Sequence, residues 1–208
     1  MGRMPTQPPA PGRTDRPVPV TVTAPATATA PALLLRPWRA ADAAELAVLY
    51  RDPLLRRFLS HSIPDEAGAL RWIDEQRRRR QSGDRFAFAV VERSGAAERL
   101  AGHVVLKDVA PGSPSAEVGY WTAAHARGRG VAPRALDALT GWAFTAFGAR
   151  GPARLVLRHQ EDNTASCRVA AKCGYELTGT LPAAPPAYPR AGHVHTRFRV
   201  TGAGPRSA

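Results

Sequence analysis

The residues of this chain best suited to chemistry lie in one short stretch, His125-Ala126-Arg127-Gly128-Arg129-Gly130-Val131-Ala132-Pro133. Ser115–Trp121 before it reads as a strand, and Ala132, Ala135, Leu136, Leu139, Ala143 and Phe147 after it recur at helical spacing. A strand, a glycine turn and an amphipathic helix in that order bring unpaired first-turn N–H groups and the positive end of a helix dipole to one point. Glycine lets that backbone come close to an anion, so the arrangement suits a phosphate or pyrophosphate. Arg127 and Arg129 add charge there. A Walker loop would need Gly-Lys-Ser/Thr where this chain has Val131-Ala132-Pro133, and a dinucleotide fingerprint would need a third glycine in place of Pro133. A single glycine pair at the mouth of a helix also argues against an unstructured Arg-Gly element for RNA. A turn with only a structural role stays open.

The remaining reactive side chains are less specific. Cys167 and Cys173 are the only two cysteines, too few for a zinc quartet. Six residues apart on a helix they point to different faces, which excludes a bridge between them and leaves buried thiols as the plain reading. His103, His125, His193 and His195 fall on or beside predicted strands and loops, where they read as structural or exposed. No His-Glu-x-x-His or similar spacing occurs, so no metal is expected. The run Arg77-Arg78-Arg79-Arg80 closes a predicted helix, and cations in a last turn favour the helix dipole, so a solvated helix end is preferred over a dedicated anion site.

The elements that must position these residues follow from the apolar pattern. Residues 1–32 hold eight of the 20 prolines and no Leu, Ile, Phe, Trp or Tyr, which predicts a disordered Pro/Ala/Thr-rich tail. Leu33-Leu34-Leu35-Arg36-Pro37 reads as a strand. Asp42, three residues before Glu45, marks a capping box for a helix through Tyr50, and Pro53 breaks or restarts it. Ser62-Ile63-Pro64-Asp65 opens another helix, ended by Ser82-Gly83. Phe86–Val91 is apolar on both faces, as a covered central strand should be, and Ser94-Gly95 turns it into a second strand, Leu100–Val109. With Ser115–Trp121 this makes an antiparallel meander flanked by helices.

Composition bounds the rest. The 208 residues are 44% apolar and 22% charged, enough for one globular domain. Lys and Arg outnumber Asp and Glu by 29 to 17, and +10 of the +12 surplus lies on residues 33–208, which excludes a strongly acidic surface and favours phosphate- or carboxylate-bearing partners. No run of about 18 apolar residues that could span a bilayer occurs, and the proline-rich start does not suit a signal peptide. A cytoplasmic protein with no membrane partner is expected. Nucleic-acid binding has the charge in its favour but no aromatic stacking pattern or helix-turn-helix signal.

Arg127-Gly128-Arg129-Gly130-Val131-Ala132 resembles the Q/R-x-x-G-x-G/A loop of the GNAT superfamily of acyl-CoA-dependent N-acyltransferases. Downstream, after the strand Arg154–Arg158, the segment Asn163-Thr164-Ala165-Ser166 through Lys172-Cys173-Gly174-Tyr175-Glu176 resembles that family's N-x-x-S…K-x-G-F/Y-E segment. Leu33–Trp38 and Ala116-Glu117-Val118-Gly119-Tyr120-Trp121 are similar to the first strand and the "AEIGY" strand of its ribosomal-protein alanine acetyltransferase branch. The resemblance covers residues 33–200 and leaves 201–208 as a flexible C-terminus. It implies an α+β fold with a mostly antiparallel central sheet of about seven strands, helices on both faces, and fourth and fifth strands splayed to admit the pantetheine arm.

The resemblance also assigns roles. Acetyl-CoA is the implied acyl donor, its pyrophosphate held by the backbone of Arg127, Gly128, Arg129, Gly130, Val131 and Ala132, with Val118 as a further cofactor-binding residue and Asn163 and Ser166 near the pantetheine and its sulfur. Acyl transfer to an amine needs a proton acceptor and a polarised carbonyl but no covalent intermediate, because a thioester is already activated. Glu117 is the candidate base, with an arginine-paired strand carboxylate as its alternative, and His159 is held in reserve. The helix tyrosine many relatives use as general acid is replaced by Ala170, which leaves Ser166 as the second catalytic candidate. Asn163 and Ser166 could equally cap the helix they open, and the two roles are compatible.

The acceptor, a protein N-terminal amine or a small-molecule amine, would meet Asp52–Ser60 and the proline-rich Leu181–Gly192. Sparse acidic residues disfavour polycationic acceptors. A non-catalytic acyl-CoA-binding regulatory module and a homodimer both remain open.

Overall fold

The computed structural model describes residues 21–94, 97–186 and 189–200; residues 1–20 of the expected tail, Gly95 of the expected turn and the C-terminus 201–208 lie outside them. In chain order the elements are β1 (Val22–Ala24), β2 (Ala32–Pro37), α1 (Ala43–Leu49), α2 (Pro53–Phe58), α3 (Glu66–Ser82), β3 (Arg85–Ser94), β4 (Ala97–Lys107), β5 (Ser115–Thr122), α4 (Val131–Phe147), β6 (Arg154–Gln160), α5 (Thr164–Lys172), β7 (Glu176–Leu181) and β8 (Gly192–Phe198). The strands form one sheet of eight in the order β1-β2-β3-β4-β5-β6-β8-β7, antiparallel except where β5 meets β6.

The sheet divides the apolar residues by parity, since successive side chains of a strand point to opposite faces. Phe86, Phe88 and Val90 of β3 join Leu33, Leu35, Leu136 and Leu139 in a core under α4. Ala87, Ala89 and Val91 join Trp38, Leu46 and Ile73 in a second core under α1–α3. The strand apolar on both faces is therefore the sandwiched one, as its pattern requires.

Two expectations are corrected. The sheet begins within the expected tail, because Val22–Ala24 pairs with β2 and buries Ala24, and Arg134 of α4 donates to the carbonyls of Pro25 and Pro31 (2.6 and 2.8 Å). A three-residue strand vanishes into the composition of a proline-rich stretch, which is why eight strands stand where about seven were expected. Asp42 stands at the N-cap position of α1, but its side chain does not cap that helix. It accepts from Arg39 N in a single 3-10 turn and receives a bidentate guanidinium from Arg36 at 2.8 Å, both side chains buried. Removing one partner of a buried pair leaves the other charge without compensation. Glu98, 3.4 Å from Arg36, offsets part of that. Asp42→Ala is expected to lower unfolding free energy by about 3 kcal/mol, read from the shift of a urea midpoint at unchanged slope.

Helix ends behave as their residues dictate. Asp65 caps α3 by accepting from Gly68 N at 2.6 Å, and Gly83, left-handed at φ +81°, ends it. Three of the four arginines there are paired along the helix or to Asp84, and Arg80 lies over the Phe88 ring at 4.5 Å, so the run serves the helix end and not an anion site.

Candidate active site

β5 and β6 are paired only over Ser115–Val118 and Arg154–Leu157, yet both strands run on for several residues. Beyond Val118 and Leu157 the facing edges part, and a cleft of about 1200 Å³ opens at their C-terminal ends. Crevices beyond the carboxyl ends of neighbouring parallel strands are where sheets of this kind take ligands. The parting leaves strand-edge N–H and C=O groups turned into the cleft, ready for an extended, amide-bearing molecule.

The glycine turn forms one wall. Gly128 and Gly130 both have left-handed backbone (φ +76° and +73°), and a Cβ at either would meet nothing within 4 Å. Gly130 is the N-cap of α4 and carries no capping side chain, and the amides of residues 128–132 make no backbone hydrogen bond among the described residues. These donors and the helix dipole face open space, the condition for holding an anion. The arginines contribute differently from expectation. Arg127 reaches the cleft but is ion-paired with Asp52, whereas the Arg129 guanidinium is held by buried Glu92 at 2.6 Å and does not line the cleft, so Arg129 has only its backbone to offer.

The α5 wall supplies cations that sequence reasoning passed over. Ala165, Arg168, Val169 and Lys172 line the cleft together, and their spacing is one helical face. That periodicity is the signal that brings Arg168 and Lys172 to the cleft as two further cations. At the start of α5, Asn163 acts as N-cap, its Oδ1 accepting from Ser166 N at 3.3 Å. Ser166 is 8% exposed and accepts a hydrogen bond from the Tyr120 hydroxyl at 3.0 Å. Burial pushes Tyr120 up to about 12, only partly opposed by its bond to Ser166, so it keeps its proton throughout the neutral range. Ser166 is thereby left free to donate its own proton into the cleft. The strand pattern of 115–122 gave no hint of this link, because it joins two residues 46 positions apart.

On the opposite face of β5, Glu117 lines the cleft with both carboxylate oxygens engaged, by Lys107 at 2.5 Å and by Arg158. It is 15% exposed at the side chain. The pairing named as its alternative reading is present, within the cleft and not on an outer surface. The other half of the cleft is walled by Leu54, Phe58 and Leu59 on one side and by Leu181, Pro182 and Arg190 on the other, from the two segments expected from the sequence to meet the acceptor, with His61 just beyond the first. His61 accepts from or donates to Tyr50 at 2.9 Å and was not singled out from sequence. His103, fully buried under Trp38, is driven down to about 3 by desolvation and stays neutral.

Such a cleft belongs to enzymes that receive a group on a phosphate-headed arm and pass it to an acceptor across a parted sheet. Residues 32–176 match the Acetyltransferase (GNAT) domain, and the chain belongs to that family: it is an acetyl-CoA-dependent acetyltransferase. A comparison with curated proteins finds no match. Among solved structures, RimJ of Mycobacterium smegmatis in complex with CoA-disulfide superimposes with a TM-score of 0.72 at 20% identity, covering 86% of this chain and 85% of that one. An acetyltransferase from Salmonella typhimurium that modifies the N-terminal serine of a 50S ribosomal subunit protein gives 0.71 at 20% identity, over 86% and 99%. The microcin self-immunity acetyltransferase MccE, in complex with acetyl-CoA and AMP, gives 0.68 at 20% identity, over 80% and 92%. No helix of the described residues is long and apolar enough to cross a membrane.

Proposed function

We propose that this acetyltransferase acetylates a protein N-terminal amine, by direct attack in a ternary complex. The observation that carries this reading is the charge of the cleft wall: Arg85, Lys107 and Arg158 line it against Glu117 as its carboxylate, while the lining Arg127 and Arg190 are paired with Asp52 and Asp162. A positive field repels an ammonium and favours the neutral amine. An α-amino group, with a pKa near 7.7–8.0, is about one-fifth to one-third neutral near pH 7.4, whereas a lysine near 10.4 is only about 0.1% neutral. The apolar mouth at Leu54, Phe58, Leu59, Leu181 and Pro182 suits a peptide main chain better than a polycationic small amine.

The donor brings an acyl group already activated as a thioester. The chain's residues bind and orient it: amides 128–132 and the α4 dipole hold the pyrophosphate, with Arg168 and Lys172 beside them, and the parted edges of β5 and β6 take the arm's amides, aided by Asn163. Ser166, backed by Tyr120, donates toward the departing sulfur. Glu117 receives the amine's proton, and Arg158, half exposed, is the partner that yields.

Glu117→Gln is expected to lower kcat about 100-fold at neutral pH, the scale of a lost general base, with acetyl-CoA affinity changed less than about twofold. Equal rates for the two proteins from pH 6 to 9 would remove Glu117 from the mechanism. The substrate reading is tested with acetyl-CoA and matched peptides, one with a free N-terminus and no lysine, one N-terminally blocked with a lysine, beside an aminoglycoside. Thiol release and an acetyl mass on the first alone is the expected result; acetylation confined to lysine or the aminoglycoside would overturn it.

A further inference from the structure

Three elements that meet at the cleft, which His159 itself lines, bring four metal-ligating side chains together. His159 ends β6, Cys167 lies on α5, and His193 and His195 alternate along β8. Because His159 pairs with His193 and Leu157 with His195 across the antiparallel β6–β8 ladder, all three imidazoles fall on one sheet face, the face on which α5 packs. One ligand atom from each of the four side chains lies within 4.8 Å of the other three.

We propose that His159, Cys167, His193 and His195 form a structural zinc site that pins α5 and β8 to the end of β6. Tetrahedral zinc with Zn–S of about 2.3 Å and Zn–N of about 2.0–2.1 Å holds sulfur about 3.6 Å from each nitrogen. Cys167 Sγ stands 3.3 Å from His193 Nδ1 and 3.7 Å from His159 Nε2, so two of those edges already have their length. His159 Nδ1 donates to the Gln160 carbonyl at 2.8 Å, which leaves the lone pair on Nε2 and aims it inward, the outer-sphere arrangement typical of a zinc-bound histidine.

The independent observation is His195. It is 5% exposed, stacked on His159 at 5.1 Å between ring centres, and neither of its ring nitrogens has a hydrogen-bond partner among the described residues. Leaving a buried polar group unsatisfied is costly, and an ion bound at one nitrogen removes that cost at that nitrogen. Two imidazoles and a thiolate of this softness, completed by a third imidazole, suit zinc better than magnesium or calcium, which take oxygen ligands. Binding turns the Cys167 thiol into a thiolate and releases its proton to solvent.

The ion is no part of acyl transfer. It holds the start of α5, where Asn163 and Ser166 sit, and it occupies His159 Nε2, so His159 ceases to be available as a base. Sequence spacing could not reveal the set, because its members are 8, 26 and 2 residues apart and spread over three elements.

The test uses the untagged full chain, stripped with a chelator and titrated with cobalt(II) as a spectroscopic probe and then with zinc. The expected result is one cobalt per chain with tetrahedral d–d bands and a thiolate-to-cobalt charge-transfer band, bleached by an equimolar amount of zinc. Cys167→Ser should abolish the charge-transfer band, and His195→Ala should weaken zinc binding by more than the roughly 10–100-fold that loss of an outer partner costs. Zinc should also protect Cys167 from alkylation, located by mass spectrometry apart from buried Cys173. Should His195→Ala fail to fold by circular dichroism, the near-isosteric Cys167→Ser decides alone. Absence of the charge-transfer band in the wild type, or zinc affinity unchanged by Cys167→Ser, would overturn the proposal. Every readout is independent of acetyl transfer, so its failure leaves the enzymatic reading standing.

Discussion

Gly130→Glu is expected to reduce acetyl-CoA affinity by about 100-fold or more, equivalent to about 2.7 kcal/mol, in a calorimetric titration. Gly130 is the uncapped N-terminal residue of α4, and space above it is open to at least 4 Å. A glutamate there fits without collision, so the loss comes from charge: a carboxylate can take the amides itself and repels the phosphates it replaces. The backbone imposes a second cost, because φ is +73°, where a non-glycine residue is strained by about 1 kcal/mol. Gly83→Glu separates the two effects. Gly83 is also left-handed, at φ +81° with nothing within 4 Å, but it closes α3 and does not line the cleft. It should show the same small loss of stability and full affinity for acetyl-CoA. Equal affinity in Gly130→Glu and the wild type would move the phosphate site off the glycine turn.

That the turn could be found from letters, while much of the site could not, has a physical cause. A glycine at φ above zero followed by an amphipathic helix is a local signal, written within about ten residues. The paired parity of β3 and the proline break before α2 are local in the same sense, and each element stands where its pattern put it. What escaped is long-range or averaged. The Tyr120–Ser166 hydrogen bond and the His159, Cys167, His193 and His195 cluster depend on how β5, β6, α5 and β8 come together, which no window of sequence contains. Arg129 was placed beside the anion by adjacency, but a side chain as long as arginine follows the nearest buried carboxylate, here Glu92. Val22–Ala24 was lost because three strand residues amid prolines do not move a composition.

Ser166→Ala is expected to lower kcat about 100-fold with acetyl-CoA affinity nearly unchanged, the low end for a lost general acid since a thiol leaves readily. The substitution is structurally mild. The cap of α5 runs from Asn163 Oδ1 to the backbone N–H of Ser166, which alanine retains. What disappears is the hydroxyl between the Tyr120 proton and the cleft. Tyr120→Phe keeps that hydroxyl but removes the donor behind it, and a smaller loss, about tenfold, is expected. If the two act as one chain, the double variant is no slower than Ser166→Ala alone, since the tyrosine has no route to the sulfur without the serine. Multiplicative losses would make them independent. An acyl donor with a more acidic thiol needs less protonation as it leaves, so the Ser166→Ala defect should shrink on such a donor. A defect of the same size on both donors would show that Ser166 positions the thioester and gives it no proton.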